Sequence, residues 1–261
     1  MENSYLGRED APIGSETWKA LDSTMTEAAK GVLTGRRLLH IEGPYGLGLK
    51  AVPLADSQPD SGLISSGFVP VTLIYKTVSL SKRDLAAAEK DGMPVNTAAV
   101  AKTAIDAGLA EESLIFNGTK GQPGLLSAPG ASALKLSAWD DMGKAVEDII
   151  SAITLLDKAG FHGPYTLALA PSRYNLLFRR YPQGGTELEY VQALVTDGIF
   201  KAPVLNSGGV LIASGRQYAA IVLGQDMSMG FIGPVGENLE FSISESLALL
   251  VREPKAICVL K

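Results

Sequence analysis

The side chains able to do chemistry are few and scattered. The chain has two histidines, His40 and His162, and one cysteine, Cys258. Neither histidine has a second histidine or a cysteine at metal-ligand spacing, which argues against a zinc or di-iron site within one chain. Cys258 sits in Ala256-Ile257-Cys258-Val259-Leu260, where a thiol serves as a small buried hydrophobe. A lone cysteine forms no intramolecular disulfide and fits a reducing compartment. The run Gly43-Pro44-Tyr45-Gly46-Leu47-Gly48 has the glycines of a phosphate loop, but no Lys-Ser/Thr follows it and no helix opens behind it. No serine lies in a G-x-S-x-G elbow. The carboxylate pairs Glu111-Glu112 and Asp140-Asp141 are adjacent rather than spaced on one helical face, and are expected to be caps and solvated charges. The expectation is a protein that is not an enzyme, with no catalytic residue and no metal.

Composition points the same way. The 261 residues suffice for one large domain or two small ones. Charged residues make up 20% and mean hydropathy is +0.15, so the chain holds more apolar surface than one ordinary monomer hides. That excess predicts subunit interfaces. A net charge of -5 lacks the basic footprint of a general nucleic-acid binder. No apolar run approaches the roughly 18 residues of a membrane span, and the N-terminal segment has neither the basic nor the apolar region of a signal peptide. A cytoplasmic protein with no nucleic-acid or membrane partner is expected.

The elements that must position these residues divide at Gly35 to Gly48. Before it, Trp18, Leu21, Met25, Ala28 and Val32 recur at spacings of three and four, predicting a helix capped by Ser15 and stopped by Gly35. Residues 38–41 predict a short strand ending in the glycine turn. Lys50 to Val69 is too long for a structureless connection, and predicts disorder or an extended hairpin arm with partners outside its own domain. Pro70 to Val78 predicts a strand, and Lys82 to Lys90 a short helix. A longer helix follows from Asn96 or Thr97, with Val100, Ala101, Ala104, Ile105 and Gly108 as its packing stripe. Trp139 opens a further amphipathic helix, carrying Met142, Val146, Ile149, Ile153 and Leu156 at spacings of four and three. Two short helices flank the polar loop Tyr181-Pro182-Gln183-Gly184-Gly185. Strands are predicted at Val210 to Ala213, Tyr218 to Leu223, Met227 to Ile232, Leu239 to Ser244, Leu247 to Val251 and Ile257 to Leu260. Helices first and strands last predict an α+β protein.

Taken together, these motifs resemble the encapsulins, the linocin-type shell proteins of bacteria and archaea. The resemblance is carried by Ala11-Pro12-Ile13 with Trp18, by Gly35-Arg36-Arg37 with Glu42-Gly43-Pro44-Tyr45-Gly46, and by Leu114 to Gly118 with Gly124-Leu125-Leu126. It continues through Gly163-Pro164-Tyr165-Thr166-Leu167, Tyr181-Pro182, Leu223 to Gly230, Glu245-Ser246 and Glu253-Pro254, in order along essentially the whole chain.

The resemblance implies an HK97 phage-capsid-like fold and self-assembly into an icosahedral encapsulin nanocompartment, of the smallest class with 60 subunits. Residues 1–34 would form an N-terminal arm and lumen-facing helix, 35–49 a P-domain strand and turn, and 50–70 the E-loop. Residues 71–129 would form the P-domain with its spine helix, 130–224 the A-domain, and 225–261 the last P-domain strands. The implied function is enclosure of a cargo enzyme bearing a C-terminal targeting peptide. A ferritin-like protein for iron storage or oxidative-stress defence comes first and a dye-decolourising peroxidase second. The alternatives are a viral or prophage capsid protein packaging nucleic acid, and a hydrolase or bacteriocin.

By the same resemblance, Ala29, Leu33, Arg36, His40, Met229 and Phe231 would form the cargo-peptide groove. Tyr181, Pro182, Gln183, Gly184, Gly185 and Thr186 would ring the five-fold pore, acting as a size filter with weak charge selectivity. Some family members hold flavin through a tryptophan after the E-loop. The matching region here, Leu80 to Asp84, has none, so no cofactor is expected.

Overall fold

The computed structural model describes residues 4–57, 62 and 64–261. Pro59 and Leu63 of the expected arm, and residues 1–3 of the N-terminal segment, lie outside the described residues.

The architecture hangs on one strand, Asn238–Val251, whose alternating and finally continuous apolar side chains are buried on both faces. One edge pairs antiparallel with Thr72–Ser81, from Leu247↔Thr72 to Asn238↔Ser81. The other edge pairs with Ser228–Val235 and then with Ala219–Leu223, and His40–Glu42 adds in parallel to the latter. The sequence predicts two strands here, split at Glu245-Ser246, but the ladder runs through both. Their polar atoms have partners inside the protein: Gln225 N–H donates to Ser246 Oγ at 2.8 Å, and Arg36 reaches Glu245.

Two helices cover this sheet. The first, Ser15–Lys30, buries Trp18, Leu21, Met25 and Ala29, with Trp18 edge-on to Phe241 at 5.6 Å between ring centroids. The second, Ala98–Phe116, is the spine, and its inward stripe is Val100, Ala104, Ala107 and Gly108, continuing to Glu111. Ile105, predicted on that stripe, is on the exposed side. Gly35 does not stop the first helix, which ends at Lys30; it opens a short helix, Gly35–Leu38, where the sequence predicts the start of a strand. A Cβ at Gly35 would lie 2.7 Å from Ile115 Cδ1, so the spine and this turn are closely packed and a larger residue would have to displace the end of the Ile115 side chain.

A second five-stranded sheet runs in the order Ser132–Leu134, Ile257–Leu260, Gly209–Ala213, Tyr165–Leu169, Ile199–Lys201. The helix Lys144–Lys158 packs on it through Ala145, Ile149, Ala152 and Leu156. It begins later than predicted, because Trp139 lies in the left-handed region at φ 61° and Met142 precedes the first turn. Cys258 is fully buried in this sheet, and burial pushes its thiol up to about 11.

Ala51–Ser57 and Ser65–Pro70 form an antiparallel two-stranded ribbon that joins neither five-stranded sheet. The glycine turn launches it. Tyr45 N–H donates to Leu223 O at 3.0 Å and Gly46 N–H to Gly224 O. Gly43 has φ 105°, and a Cβ there would lie 2.5 Å from Leu223 O, whereas Gly48 has open space around it. Gly43→Val is therefore expected to lower the denaturation midpoint, since left-handed backbone alone costs about 1–2 kcal/mol before the clash. Gly48→Val should keep the parental denaturation midpoint; equal losses in both would place the constraint elsewhere.

Candidate functional sites at the helix–sheet junction and the polar loop

At the junction of the first helix and the main sheet, the residues expected to form a peptide groove separate by depth. Ala29, Leu33 and Met229 are buried in the main core, and Phe231 is half-buried, edge-on to Phe241 at 5.5 Å between ring centroids. His40 is exposed on the edge strand, opposite Ala220. The N-terminal arm crosses this region. A Cβ on Gly230 would meet Leu6 O at 2.7 Å, and one on Gly7 would meet Phe231 O at 3.0 Å. Arg8 pins the arm by stacking 3.9 Å from the Trp18 ring centroid and pairing with both oxygens of Asp22 at 3.1 and 2.6 Å. Beside the arm a cleft of about 510 Å³ is lined by Pro12, Leu85, Phe231, Pro234 and Leu239, among others.

Arg36 is not a free cation. Its Nε donates to Glu111 at 2.8 and 3.1 Å, its Nη2 to Glu111 and Glu245 at 2.8 Å each, and its Nη1 to Asp226 at 2.6 Å. Glu111 and Glu245 are both 0% exposed. Burial works against the guanidinium's charge, but hydrogen bonds and attraction from Glu111 and Asp226 outweigh it and raise its pKa. Burial, then the charge of Glu111 and a hydrogen bond to it, push Glu245 up to about 9. Glu112, also buried, is pushed up to about 7 by burial, against the Gly35 N–H that donates to it at 2.7 Å. The expectation that Glu111 and Glu112 are solvated is thus corrected: the spine turns them inward onto the Gly35–Leu38 turn. Sequence reasoning missed Glu111, Asp226 and Glu245 as partners of Arg36. The available signal was a carboxylate inside an apolar run, as in Leu109-Ala110-Glu111 and Ile243-Ser244-Glu245.

The loop from Tyr181 to Thr186 is a small closed hairpin. Arg180 and Thr186 bridge antiparallel, Tyr181 N–H donates to Gly185 O and Gly184 N–H to Tyr181 O, each at 3.0 Å. Gly184 and Gly185 have φ 99° and 80°. Pro182, Gln183 and Gly184 are exposed, while Tyr181, Gly185 and Thr186 are half-buried. Tyr181 packs edge-on against Tyr190 at 5.2 Å, and Thr186 caps the helix Glu187–Leu194 by accepting from Glu189 N–H. The tip presents amide dipoles and one neutral side chain, with no ionised group among its six residues. No group of three or more potential metal ligands occurs among the described residues, and no helix there is long and apolar enough to cross a membrane.

Known proteins share this arrangement. A family described as "Encapsulating protein for peroxidase" matches residues 2–248. The type 1 encapsulin shell protein EncA of Myxococcus xanthus is 31% identical over 276 residues, covering 98% of this chain and 96% of that protein. The crystal structure of a virus-like particle from Pyrococcus furiosus superposes with TM-score 0.77 at 23% identity, covering 94% of this chain and all of that one. The capsid of Myoviridae phage XM1 superposes with TM-score 0.61 at 16% identity, over 88% of this chain and 91% of that one.

Proposed function

Because this chain belongs to the encapsulin family of shell proteins and has the HK97-type capsid fold, we infer that many copies close into an icosahedral compartment around a cargo enzyme. The observation that carries this reading is the ribbon of residues 51–57 and 65–70. A two-stranded ribbon is marginal alone. This one leaves Phe68 66% exposed, with Leu54 and Ile64 also exposed, and Leu73 and Tyr75 of the adjoining strand are exposed as well. Apolar surface of that extent marks an interaction site, and a second copy of the chain supplies the complementary sheet edge. At the ribbon's root a cleft of about 670 Å³, lined by Tyr45, Val52, Pro53, Leu54 and Leu250 among others, offers a neighbour a seat.

The shell would be of the smallest class, with 60 copies, and the chain would do no chemistry of its own. The loop Tyr181–Thr186 would ring the five-fold axis, and its neutral tip would filter by size more than by charge. A cargo tail would dock beside the N-terminal arm on Phe231, with Ala29, Leu33 and Met229 supporting the groove from beneath. To reach His40 it would have to run extended along the sheet, since His40's partner Ala220 pairs with Leu250, nine residues along the long strand from Phe241, the partner of Phe231. The cargo class is a redox or iron-handling enzyme, a ferritin-like protein or a peroxidase; the family's own description favours the latter. Many weak identical sites would hold it by avidity.

Electron microscopy and light scattering of the purified chain test the shell. Closed particles of one size are expected. A chain that stays monomeric or dimeric at every concentration and salt would overturn the reading.

A further inference from the structure

Resting on the assignment of Tyr181–Thr186 to the pore, we propose that Arg179 and Glu187 are positioning residues that clamp the pore loop at a fixed aperture. These two residues stand at the two ends of the hairpin, immediately outside the bridge between Arg180 and Thr186. Their pairing is buried on one side: Glu187 is 0% exposed, and Arg179 Nη2 donates to it at 2.6 Å and Nε at 3.1 Å. Glu187 N–H donates back to Arg179 O at 3.2 Å, so backbone and side chains close the same ring.

The clamp is also bolted to a strained segment. Arg179 Nη1 donates to Trp139 O at 2.6 Å and to Asp140 O at 3.1 Å, and Glu187 accepts from Gly143 N–H at 2.8 Å. Trp139 is a buried, bulky residue in left-handed backbone, a conformation that persists only where its surroundings over-determine it. They do so here. Its indole N–H donates to Asp148 at 2.7 Å, and Asp148 also accepts from Ser137 N–H and Oγ–H at 2.8 and 2.9 Å. Arg173 stacks 4.9 Å from the Trp139 ring centroid and donates to Ser137 O and Ala138 O. Two arginines thus hold four successive carbonyls, and one of them also holds the loop. A helix–helix connection needs none of this. A loop whose position sets an opening does, because neutral tip residues gate by distance alone.

The test uses assembled shells closed around fluorescein-dextran, with quenching by iodide as the small probe and by trypan blue as the large one. Three variants are compared with the parent: Glu187→Gln, the double change Arg179→Gln with Glu187→Gln, which leaves no orphaned charge, and Gln183→Trp in the loop tip. Removing one charge-assisted hydrogen bond should raise the population of loosened loops, and with it the iodide rate, by about tenfold. Trypan blue should begin to enter, while particle size and melting temperature stay near the parent's. Gln183→Trp should slow iodide. If Gln183→Trp slows iodide and the clamp variants leave both probes at parental rates, the clamp is wrong and the pore stands. If Gln183→Trp has no effect, the pore assignment fails, and the clamp with it. If neither clamp variant assembles, the pair is a folding element and the proposal is overturned.

Discussion

Arg36→Ala is expected to lose the shell itself, not only its cargo. Although the position falls among those expected to face a cargo peptide, its guanidinium is spent inside the subunit, on Glu111, Glu245 and Asp226. Deleting it leaves the fully buried Glu111 carboxylate beside the Glu245 carboxyl with no cation, and breaking a buried pair in this way costs about 3–5 kcal/mol. Against a folding free energy of about 5–15 kcal/mol, that is a large share. The cluster also joins three elements: the turn Gly35–Leu38, the spine Ala98–Phe116 and the strand Asn238–Val251. Losing it should loosen the turn and the spine from the sheet. The check is a guanidinium titration of the isolated chain with electron microscopy of the same preparation. Arg36→Ala should lower the midpoint and yield few particles. Arg36→Met combined with Glu111→Leu and Glu245→Gln removes charges together and should recover much of the loss, since apolar replacement of a buried ion cluster is often neutral. Arg36→Ala shells that form with a parental midpoint and lack only cargo would restore a purely external role for the residue.

That reversal of roles shows what the sequence carries and what it omits. Periodicity located the first helix, the spine and the helix after Trp139, because burying one face imposes a spacing readable over a dozen residues. The arm is instead read from the length of the connection after Lys50, with disorder as the alternative. The α+β class followed from the order of helices and strands, and the HK97-type fold from the family resemblance that the motifs carry, as the similar solved structures bear out. Pairings over long sequence distances left no such trace. Arg36 and Glu111 are 75 residues apart and Arg36 and Glu245 209, so residue types alone made Glu111 look solvated and left Arg36 without its partners. The same blindness cut Asn238–Val251 in two, since Glu245-Ser246 marks a break unless its partners are known. Trp139 is a different case. Nothing about a tryptophan announces left-handed backbone; only Asp148, Arg173 and Arg179 around it make the conformation tenable. At the polar loop, the glycines foretold a tight turn, but the clamp beneath them needed the fold.

Raising the pH from about 5 to about 9 is expected to weaken the protein steadily, and Glu245→Gln to remove the upper part of that loss. Burial first, then the charge of Glu111 and a hydrogen bond to it, with a smaller push from Asp226 and an opposing pull from Arg36, hold Glu245 at about 9 against an ordinary value of 4.5. Between those two values the folded chain keeps a proton that the unfolded chain releases. Stability therefore falls with rising pH, by about 1.4 kcal/mol per pH unit for each such proton. The contribution is complete below the ordinary carboxylate range and gone once the pH passes about 9. Glu112, at about 7 through burial against the Gly35 N–H, adds a second proton over the lower part of the window. The decline should then be steeper below pH 7 than between 7 and 9. The lowered carboxylates, Asp157 and Glu89, titrate below the window and are solvent-exposed, so they do not offset it. Glu245→Gln keeps the neutral shape and cannot ionise; its guanidinium midpoint should hold level from pH 7 to 9 at fixed ionic strength. Glu112→Gln should only lessen the slope below 7, toward the slope between 7 and 9 that Glu245 alone sets. In assembled shells the same ionisation would open the joint between spine and sheet, so alkaline particles should come apart at the Arg36 cluster, and Glu245→Gln particles should survive to higher pH. A parental midpoint that is flat from pH 5 to 9, or a Glu245→Gln slope equal to the parent's, would mean that Glu245 is ionised in the fold and that Arg36 neutralises it together with Glu111.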